Sequence, residues 1–316
     1  MTAAAKKRAV ISSGRAERPR ESFSPKKHWG KNLLVELGFL GIILLCFLTV
    51  KILPFLLSFG YAFTDWNGIS SQISFTGLDN YVQMLADKDF WNSLWFTLRF
   101  CGCSILLTNV LGFFLAFCLN KPLRMRGILR AGFYIPNVLG GLVLGFIWQF
   151  IFTKVFPAIG KATGIGFFNL MWLGTPATSF WGLVMVDVWC SLGYYMLLYL
   201  AGLSAIPSDC LEAAHIDGAG GWQTLTRVTL PLLMPTITRC LFLSITSSFR
   251  VYTLNMSLTN GGPYLSSEAI TMNIYRTAFT ENQMGYGSAK SLVFMLIVVA
   301  ITGIQVALTS RKEVSM

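Results

Sequence analysis

Six apolar stretches of roughly 20 residues or more follow one another along this 316-residue chain. The hydrocarbon core of a bilayer is about 30 Å thick, and an α-helix crosses it in about 20 residues. Only 12% of the residues are charged, whereas about 25% is usual for soluble proteins. The pattern therefore predicts an all-α integral membrane protein with six transmembrane helices, at approximately 33–58, 93–119, 131–152, 180–203, 237–258 and 291–309.

A basic segment precedes the first stretch, and nine of the 25 Lys and Arg residues lie within 1–31. This composition predicts a disordered tail that touches acidic lipid headgroups. Nucleic acid is not expected as a partner, because no basic–aromatic platform accompanies the charge. The first stretch is longer than a signal-peptide core and lacks a cleavage site, so it should remain as an anchor. We expect a tail at 1–32, a six-helix domain at 33–309 and a C-terminal tail at 310–316.

The positive charges predict an orientation in the membrane. Seventeen Lys and Arg residues fall on one side, in the two tails, in the loop after the second stretch and around 204–236. Five fall in the opposite, outer loops, namely Lys88, Lys154, Lys161, Arg276 and Lys290. Loops rich in Lys and Arg remain in the cytoplasm. Both termini and the loop 204–236 are therefore expected to be cytoplasmic in a multi-pass cell-membrane protein.

The loop 204–236 carries an unusual run of small residues, IPSDCLEAAHIDGAG at 207–221. Glu-Ala-Ala favours a helix and the glycines after it interrupt one. Asp209 and Glu212 have the spacing of an N-terminal capping box, and Pro231 and Pro235 are expected to stop the helix before the next apolar run. The prediction is a short, exposed helix and glycine turn at the membrane surface, small enough to enter a groove on another protein.

This run resembles the cytoplasmic EAA loop of permease subunits in binding-protein-dependent ABC importers. The matching residues are Glu212-Ala213-Ala214, Asp217-Gly218-Ala219 and Leu230-Pro231. Two further segments, FTGLDNY at 75–81 and TNGGP at 259–263, are similar to the sugar-importer branch, in particular to its first, maltose F-like permease. The resemblance extends from about residue 33 onward.

The resemblance implies a type I ABC importer permease-like fold and a role as one half of the translocation pathway of an ATP-driven sugar importer in a bacterial inner membrane. The implied partners are a second, related permease, two nucleotide-binding ATPase subunits and an extracytoplasmic sugar-binding protein. ATP and Mg would be bound by the ATPase subunits, with no cofactor in this chain. Coupling to the ATPase would use the EAA residues Glu212, Ala213, Ala214, Asp217, Gly218 and Ala219.

No catalytic or metal-binding pattern is evident in the sequence. The nearest approach to a phosphate-binding loop is GYGSAKS at 285–291, which has Met284 and Ala289 where that loop requires glycine. The Cys and His residues show no metal-ligand spacing. We therefore expect a transporter subunit rather than an enzyme.

Polar residues inside the predicted spans indicate a solute pathway, because such groups usually face a cavity or a partner. Asp187, Ser191 and Tyr194 share one helical face, as do Ser244 and Ser248 on the next span. The resemblance places the substrate pathway at these positions and their neighbours: Asp187, Cys190, Ser191, Tyr194, Ser244, Ser248 and Val251. The alternative is that the hydroxyl groups only bond helix to helix.

Two charges lie at matching depths in the fourth and fifth predicted spans. Asp187 is seven residues and Arg250 eight residues from the outer ends of these spans. Because an isolated charge near mid-bilayer is costly, we expect an Asp187–Arg250 ion pair.

Other functions remain open at this point. A secondary transporter or channel would also explain six spans and an intramembrane Asp187, although it would not explain the EAA run. An ABC importer permease for a non-sugar solute would explain that run, although not the segments at 75–81 and 259–263.

Overall fold

The structure is a computed structural model that describes residues 38, 40–121 and 124–311. The predicted tail at 1–32 lies outside the described residues, as do residues 312–316 of the predicted tail at 310–316. The chain divides into two compact units, Met1–Phe55 and Leu56–Met316. In the first unit, helix α1 (Leu40–Tyr61) begins and continues past the boundary, with a π turn at Leu48–Ile52.

The described part of the second unit contains eleven further helices. They are α2 (Asp79–Ala86), α3 (Lys88–Leu119), α4 (Arg126–Val138), α5 (Gly141–Thr163), α6 (Gly166–Asn169), α7 (Pro176–Ser204), α8 (Ser208–Ile216), α9 (Gly221–Ser248), α10 (Tyr252–Leu258), α11 (Ile270–Tyr275) and α12 (Met284–Ser310). Six helices, α1, α3, α5, α7, α9 and α12, are long and apolar enough to cross a membrane. The predicted six-span, all-α architecture is therefore confirmed.

The third predicted span is two helices rather than one. The chain breaks at Leu139 and Gly140, whose extended backbones have ψ of 132° and 140°. Pro136 lies inside α4, where it leaves the preceding turn without one backbone hydrogen bond. The membrane-crossing helix is therefore α5, which begins at Gly141 and runs beyond the predicted end at residue 152.

The fifth predicted span is also displaced. Helix α9 begins at Gly221 and runs through Pro231 and Pro235, so the prediction that these prolines stop a helix was wrong. A π turn precedes Pro231, in which Leu230 N bonds to Leu225 O. Such a turn changes the hydrogen-bond spacing, so that the helix can continue although the proline has no N–H to donate. The helix instead ends at Ser248, and the chain turns at 249–251 before α10 begins.

Small residues let the helices approach closely. Gly112 of α3 lies against the backbone of α7, where a Cβ would stand 3.3 Å from Met196 N, and Gly141 of α5 lies against Thr253 of α10. Ser257 Oγ reaches back across the same α5–α10 contact toward Gly141 O at 3.4 Å. Close backbone approach at small residues is the usual way in which membrane helices associate.

Lys290 was expected in an outer loop, but α12 begins at Met284 and places this lysine inside the helix at 2% exposure. Its Nζ lies 2.8 Å from Asp87 Oδ2 and donates to Asn273 Oδ1 and Thr277 Oγ1, each at 3.0 Å. Gly287, in the same GYGSAKS run, packs against Ala278. The run that mimics a phosphate loop is thus a helix start shaped by close packing and one buried cation.

The carboxyl group of Asp87 is the counter-charge of Lys290. Burial alone raises its pKa, but hydrogen bonds from Lys290, Tyr286 and Phe90 N outweigh burial and lower the pKa to about 2. The adjacent Glu268 has the opposite balance, because burial raises its pKa more than Asn273 and Arg276 lower it. These groups join the start of α3 to α11 and α12, at the end of the bundle opposite α8.

Replacing Lys290 should destabilise the bundle. Lys290→Met leaves Asp87, Asn273 and Thr277 without their shared donor, and removing one partner of a buried pair costs about 3–5 kcal/mol. We expect the thermal unfolding midpoint in detergent to fall clearly. Because the pKa of Asp87 is depressed, the contribution of the pair is complete above about pH 4 and declines as pH falls toward 2.

The control is Lys154→Met, since Lys154 is exposed and surface changes usually stay within about 0.5 kcal/mol. The double variant Asp87→Asn with Lys290→Met should recover part of the lost stability, because it leaves no unpaired charge. Equal unfolding midpoints for Lys290→Met and Lys154→Met would contradict the role assigned to this pair.

Candidate functional site

Helix α8 contains the predicted coupling segment. It begins at Ser208 after the extended Pro207, and no side chain caps its N-terminus. The predicted capping box is therefore wrong: the helix starts two residues early, so that Asp209 lies within the first turn and accepts from Ser208 Oγ at 3.3 Å. The C-terminus of α8, unlike its N-terminus, is closed by two backbone hydrogen bonds.

The C-terminus of α8 is a glycine-dependent turn. Gly218 has a φ of +78°, its N–H bonds to His215 O at 3.1 Å, and Ala219 N bonds to Ala214 O at 3.0 Å. This pair of bonds is a Schellman motif, which needs a left-handed residue at the position of Gly218. The predicted sharp glycine turn is thus present, and the chain enters α9 at Gly221 after only two further residues.

Most of the α8 surface is exposed. Ala214 is its buried residue, whereas Ile216 is 85% exposed and Trp222, just after the turn, is 75% exposed. The side chains of Glu212 and Asp217 are exposed as well, as are Ala213 and Gly218. Large apolar side chains that are this exposed are typical of a surface that contacts another molecule.

The residues on either side of α8 are fixed in the bundle. Ile206, two residues before the helix, is buried in a core cluster with Leu203 of α7 and Leu233 of α9. Helix α8 itself packs on the first turns of α9. A displacement of α8 would therefore be passed to α7 and α9 together.

A layer of hydrogen-bonded polar groups lies inside the bundle, between α3, α7 and α9. Asp187 Oδ2 of α7 accepts a hydrogen bond from Ser104 Oγ of α3. Tyr199 OH donates to Asn109 Oδ1 at 2.8 Å, and Asn109 Nδ2 donates to Ser244 Oγ at 3.0 Å. The layer ties the three helices to one another.

The predicted pathway residues are divided between two environments. Asp187, Cys190, Ser191 and Tyr194 are partly exposed, whereas Ser244, Ser248 and Val251 are buried. Cys190 lies against α4, with Sγ 3.5 Å from Pro136 O. On the exposed side, the neighbouring Ser247 shares a 3.2 Å hydrogen bond with Tyr195 OH.

The expected Asp187–Arg250 ion pair is absent among the described residues. Ser104 holds the Asp187 carboxyl group, while Arg250 is exposed and its Nε donates to Thr246 O of α9 at 3.2 Å. Equal depth was thus insufficient to predict the pair. Helix α9 ends at Ser248, so Arg250 lies in the turn that follows it and is exposed, whereas Ser244 and Ser248 are buried.

Sequence reasoning missed the contribution of α3. Ser93, Thr97, Ser104 and Thr108 are all buried on one face of this helix, and their spacing follows the helical period. The same signal that identified the polar face of α7 would have identified this one. Asn109, inside an apolar run, would then have stood out as a functional candidate.

The family model described as "Binding-protein-dependent transport system inner membrane component" matches residues 108–314. A "Probable starch degradation products transport system permease protein AmyD" of Thermoanaerobacterium thermosulfurigenes is 44% identical, over 88% of this chain and 94% of its own. The "Multiple sugar-binding transport system permease protein MsmF" of Streptococcus mutans is 32% identical, over 91% and 97%.

The fold matches a solved structure as well. A bacterial ABC transporter "involved in the import of the acidic polysaccharide alginate" superimposes with a TM-score of 0.76 at 20% identity, covering 89% of this chain and 96% of that one. Together with the six spans and the exposed α8, these matches identify the protein. The chain belongs to the family of binding-protein-dependent transport system inner membrane components, the permease subunits of ABC importers.

Proposed function

We propose that this subunit imports sugars, forms half of the translocation pathway with a second, related permease, and is driven by two separate ATPase subunits that dock on α8. ATP and Mg would be bound by those subunits. The α8 end would face the cytoplasm with both termini, as the distribution of Lys and Arg indicates. A sugar-loaded binding protein would dock at the opposite end.

The observation that carries the coupling proposal is the exposed α8, with Ile216 at 85% and Trp222 at 75% exposure. A polypeptide surface this apolar needs a partner, and the partner with a site for a short helix is the ATPase. Glu212 would contribute a polar contact, and Gly218 fixes the angle at which the helix projects.

Sugar as the solute is supported by the names of the relatives, which mention starch degradation products and multiple sugars. A permease of Thermococcus litoralis, 34% identical over 72% of this chain, is named for trehalose and maltose. The polar layer offers suitable chemistry, since sugar hydroxyls need donors and acceptors and sugar ring faces pack on aromatic rings. Asp187 and Tyr194, both partly exposed on α7, are the assigned contacts.

The mechanism would be alternating access. ATP binding moves α8, and the buried Ile206 and the continuous α9 pass that motion to α7 and α9. These two helices carry Asp187, Tyr195 and Ser247, so their relative movement would alter the solute site. The ligand shifts the equilibrium only by its different affinity for the two arrangements.

The direct test is the ATPase activity of the complete complex, purified with its partner permease, ATPase subunits and binding protein. We expect the loaded binding protein to stimulate ATP hydrolysis for at least one member of a panel of mono- and oligosaccharides. Stimulation by amino acids or phosphate but by no sugar would reject the sugar assignment, and solute accumulation by this chain alone would reject the coupling.

Replacing Gly218 should uncouple the complex. A β-branched residue at a φ of +78° is strained by about 1–2 kcal/mol or more, so Gly218→Val should distort the turn and lower sugar-stimulated ATPase activity at least tenfold. Gly218→Asn should retain more activity, because Asn tolerates this conformation.

The matched control is Gly221→Val, since Gly221 also has open space around it but does not have a positive φ. It should retain sugar-stimulated activity. Gly218→Val with the same activity as Gly221→Val would contradict a coupling role for the turn.

Replacing Asp187 tests the solute site. Asp187→Asn keeps the bond to Ser104 possible but removes the charge, and one lost hydrogen bond of about 1 kcal/mol corresponds to a roughly fivefold higher KM for sugar. Thr238→Val is the control, because Thr238 Oγ1 bonds only within its own helix, to Met234 O. If both variants have the wild-type KM in transport assays, Asp187 does not contact the solute.

A further inference from the structure

Arg250 is a cation deep in the bundle with no counter-charge among the described residues. Its depth follows from Phe249, whose ring lies 5.8 Å from that of Phe294, the eleventh of the 27 residues of α12. Arg250 is exposed. A guanidinium without a counter-charge has a high free-energy cost in contact with lipid at this depth. The surface around it must therefore face a polar cavity or another protein.

A column of three aromatic rings begins beside Arg250. Tyr252, the first residue of α10, packs at a tilt against Tyr275 of α11 with ring centroids 5.3 Å apart, and Tyr275 packs at a tilt against Phe279 at 5.0 Å. Tyr275 is 46% exposed and Phe279 57% exposed. The next residue along the chain from Tyr275 is Arg276, which pairs with Asp89 at the start of α3. The column therefore runs from mid-depth to the end of the bundle opposite α8.

These rings do not have the placement of a lipid-facing belt. Such belts hold Tyr and Trp at the membrane–water interface, whereas Tyr252 lies near mid-depth, two residues after Arg250, which has no counter-charge among the described residues. The interfacial position fits only Phe279, which has no polar group. A continuous aromatic surface that ends at a guanidinium instead suits a molecule with apolar faces and oxygen-rich edges.

We infer that Tyr252, Tyr275 and Phe279 form an entry track for the transported saccharide, and that Arg250 at its inner end donates hydrogen bonds to the oxygens of that saccharide. Ring faces of the sugar pack on the aromatic rings, and a hydroxyl or carboxylate group meets the guanidinium. The track is separate from the solute contacts proposed at Asp187 and Tyr194, and it would deliver sugar to them. This inference rests on the proposed function of sugar import.

The test uses the reconstituted complex with its binding protein, and it measures uptake of maltotriose as a neutral probe and of trigalacturonate as an acidic one. For whichever probe the wild type imports, Tyr275→Ala and Arg250→Gln should each raise KM at least fivefold while the subunits still copurify. Tyr275→Phe should stay within twofold of wild type, because it keeps the ring. A larger effect of Arg250→Gln on the acidic probe would identify a carboxylate as the group bound.

The controls are Arg239→Gln and Phe146→Ala. Arg239 is an exposed arginine of α9, the helix that precedes Arg250, and Phe146 is a 55% exposed ring of α5 that is not part of the column. Both should stay within twofold of the wild-type KM. Track variants that behave like these controls would overturn the inference while leaving sugar import intact. Loss of the partner permease on Arg250→Gln would also overturn it, because Arg250 would then pair with protein. A wild-type complex that imports no sugar would reject the proposed function itself, and the track with it.

Discussion

The ammonium group of Lys290 joins α3, α11 and α12 at the end of the bundle opposite α8. A charge placed in an apolar medium must be neutralised and fully hydrogen-bonded, and here Asp87, Asn273 and Thr277 meet that demand. The same requirement governs the middle of the bundle, where Asp187 is held by Ser104, and Asn109 links Tyr199 to Ser244. Hydrogen-bond partners on neighbouring helices therefore decide which helix faces pack together. Apolar residues decide this less, because they are as favourable against lipid as against another helix.

Within the described part of the chain, Arg250 has no counter-charge and the exposed apolar residue Ile216 of α8 is not packed in the core. The exposed guanidinium and the exposed apolar residues of α8 lie at two ends of one continuous helix, α9. A subunit that works alone would cover or pair these groups. The structure of this chain thus has two unfilled contact surfaces, one suited to a separate motor protein and one suited to a polar solute, and α9 is the physical connection between them.

The sequence predicted the number of spans, the short helix at 208–216 and the glycine turn well, because each depends on local physics: apolar length, helix propensity and the conformational freedom of Gly218. It failed where distant residues decide the outcome. Pro231 and Pro235 were expected to end a helix, but α9 continues through them after a π turn. Lys290 was expected in a loop, but it lies inside α12, where it pairs with Asp87. The Asp187–Arg250 pair was inferred from depth alone, which does not specify the helix face or reveal the break after Ser248.

The central claim, that α8 docks on a separate ATPase, can be tested with a cysteine that the chain already has. Cys210 lies on α8 and is exposed, and Cys118, near the end of α3, is exposed too. In the complete complex, a photoactivatable maleimide on Cys210, with the other cysteines replaced, should form an adduct with the ATPase subunit, and the yield should change when ATP is bound. The same reagent on Cys118 should give little or none. An ATPase adduct that is absent from Cys210, or equal from both positions, would contradict the account.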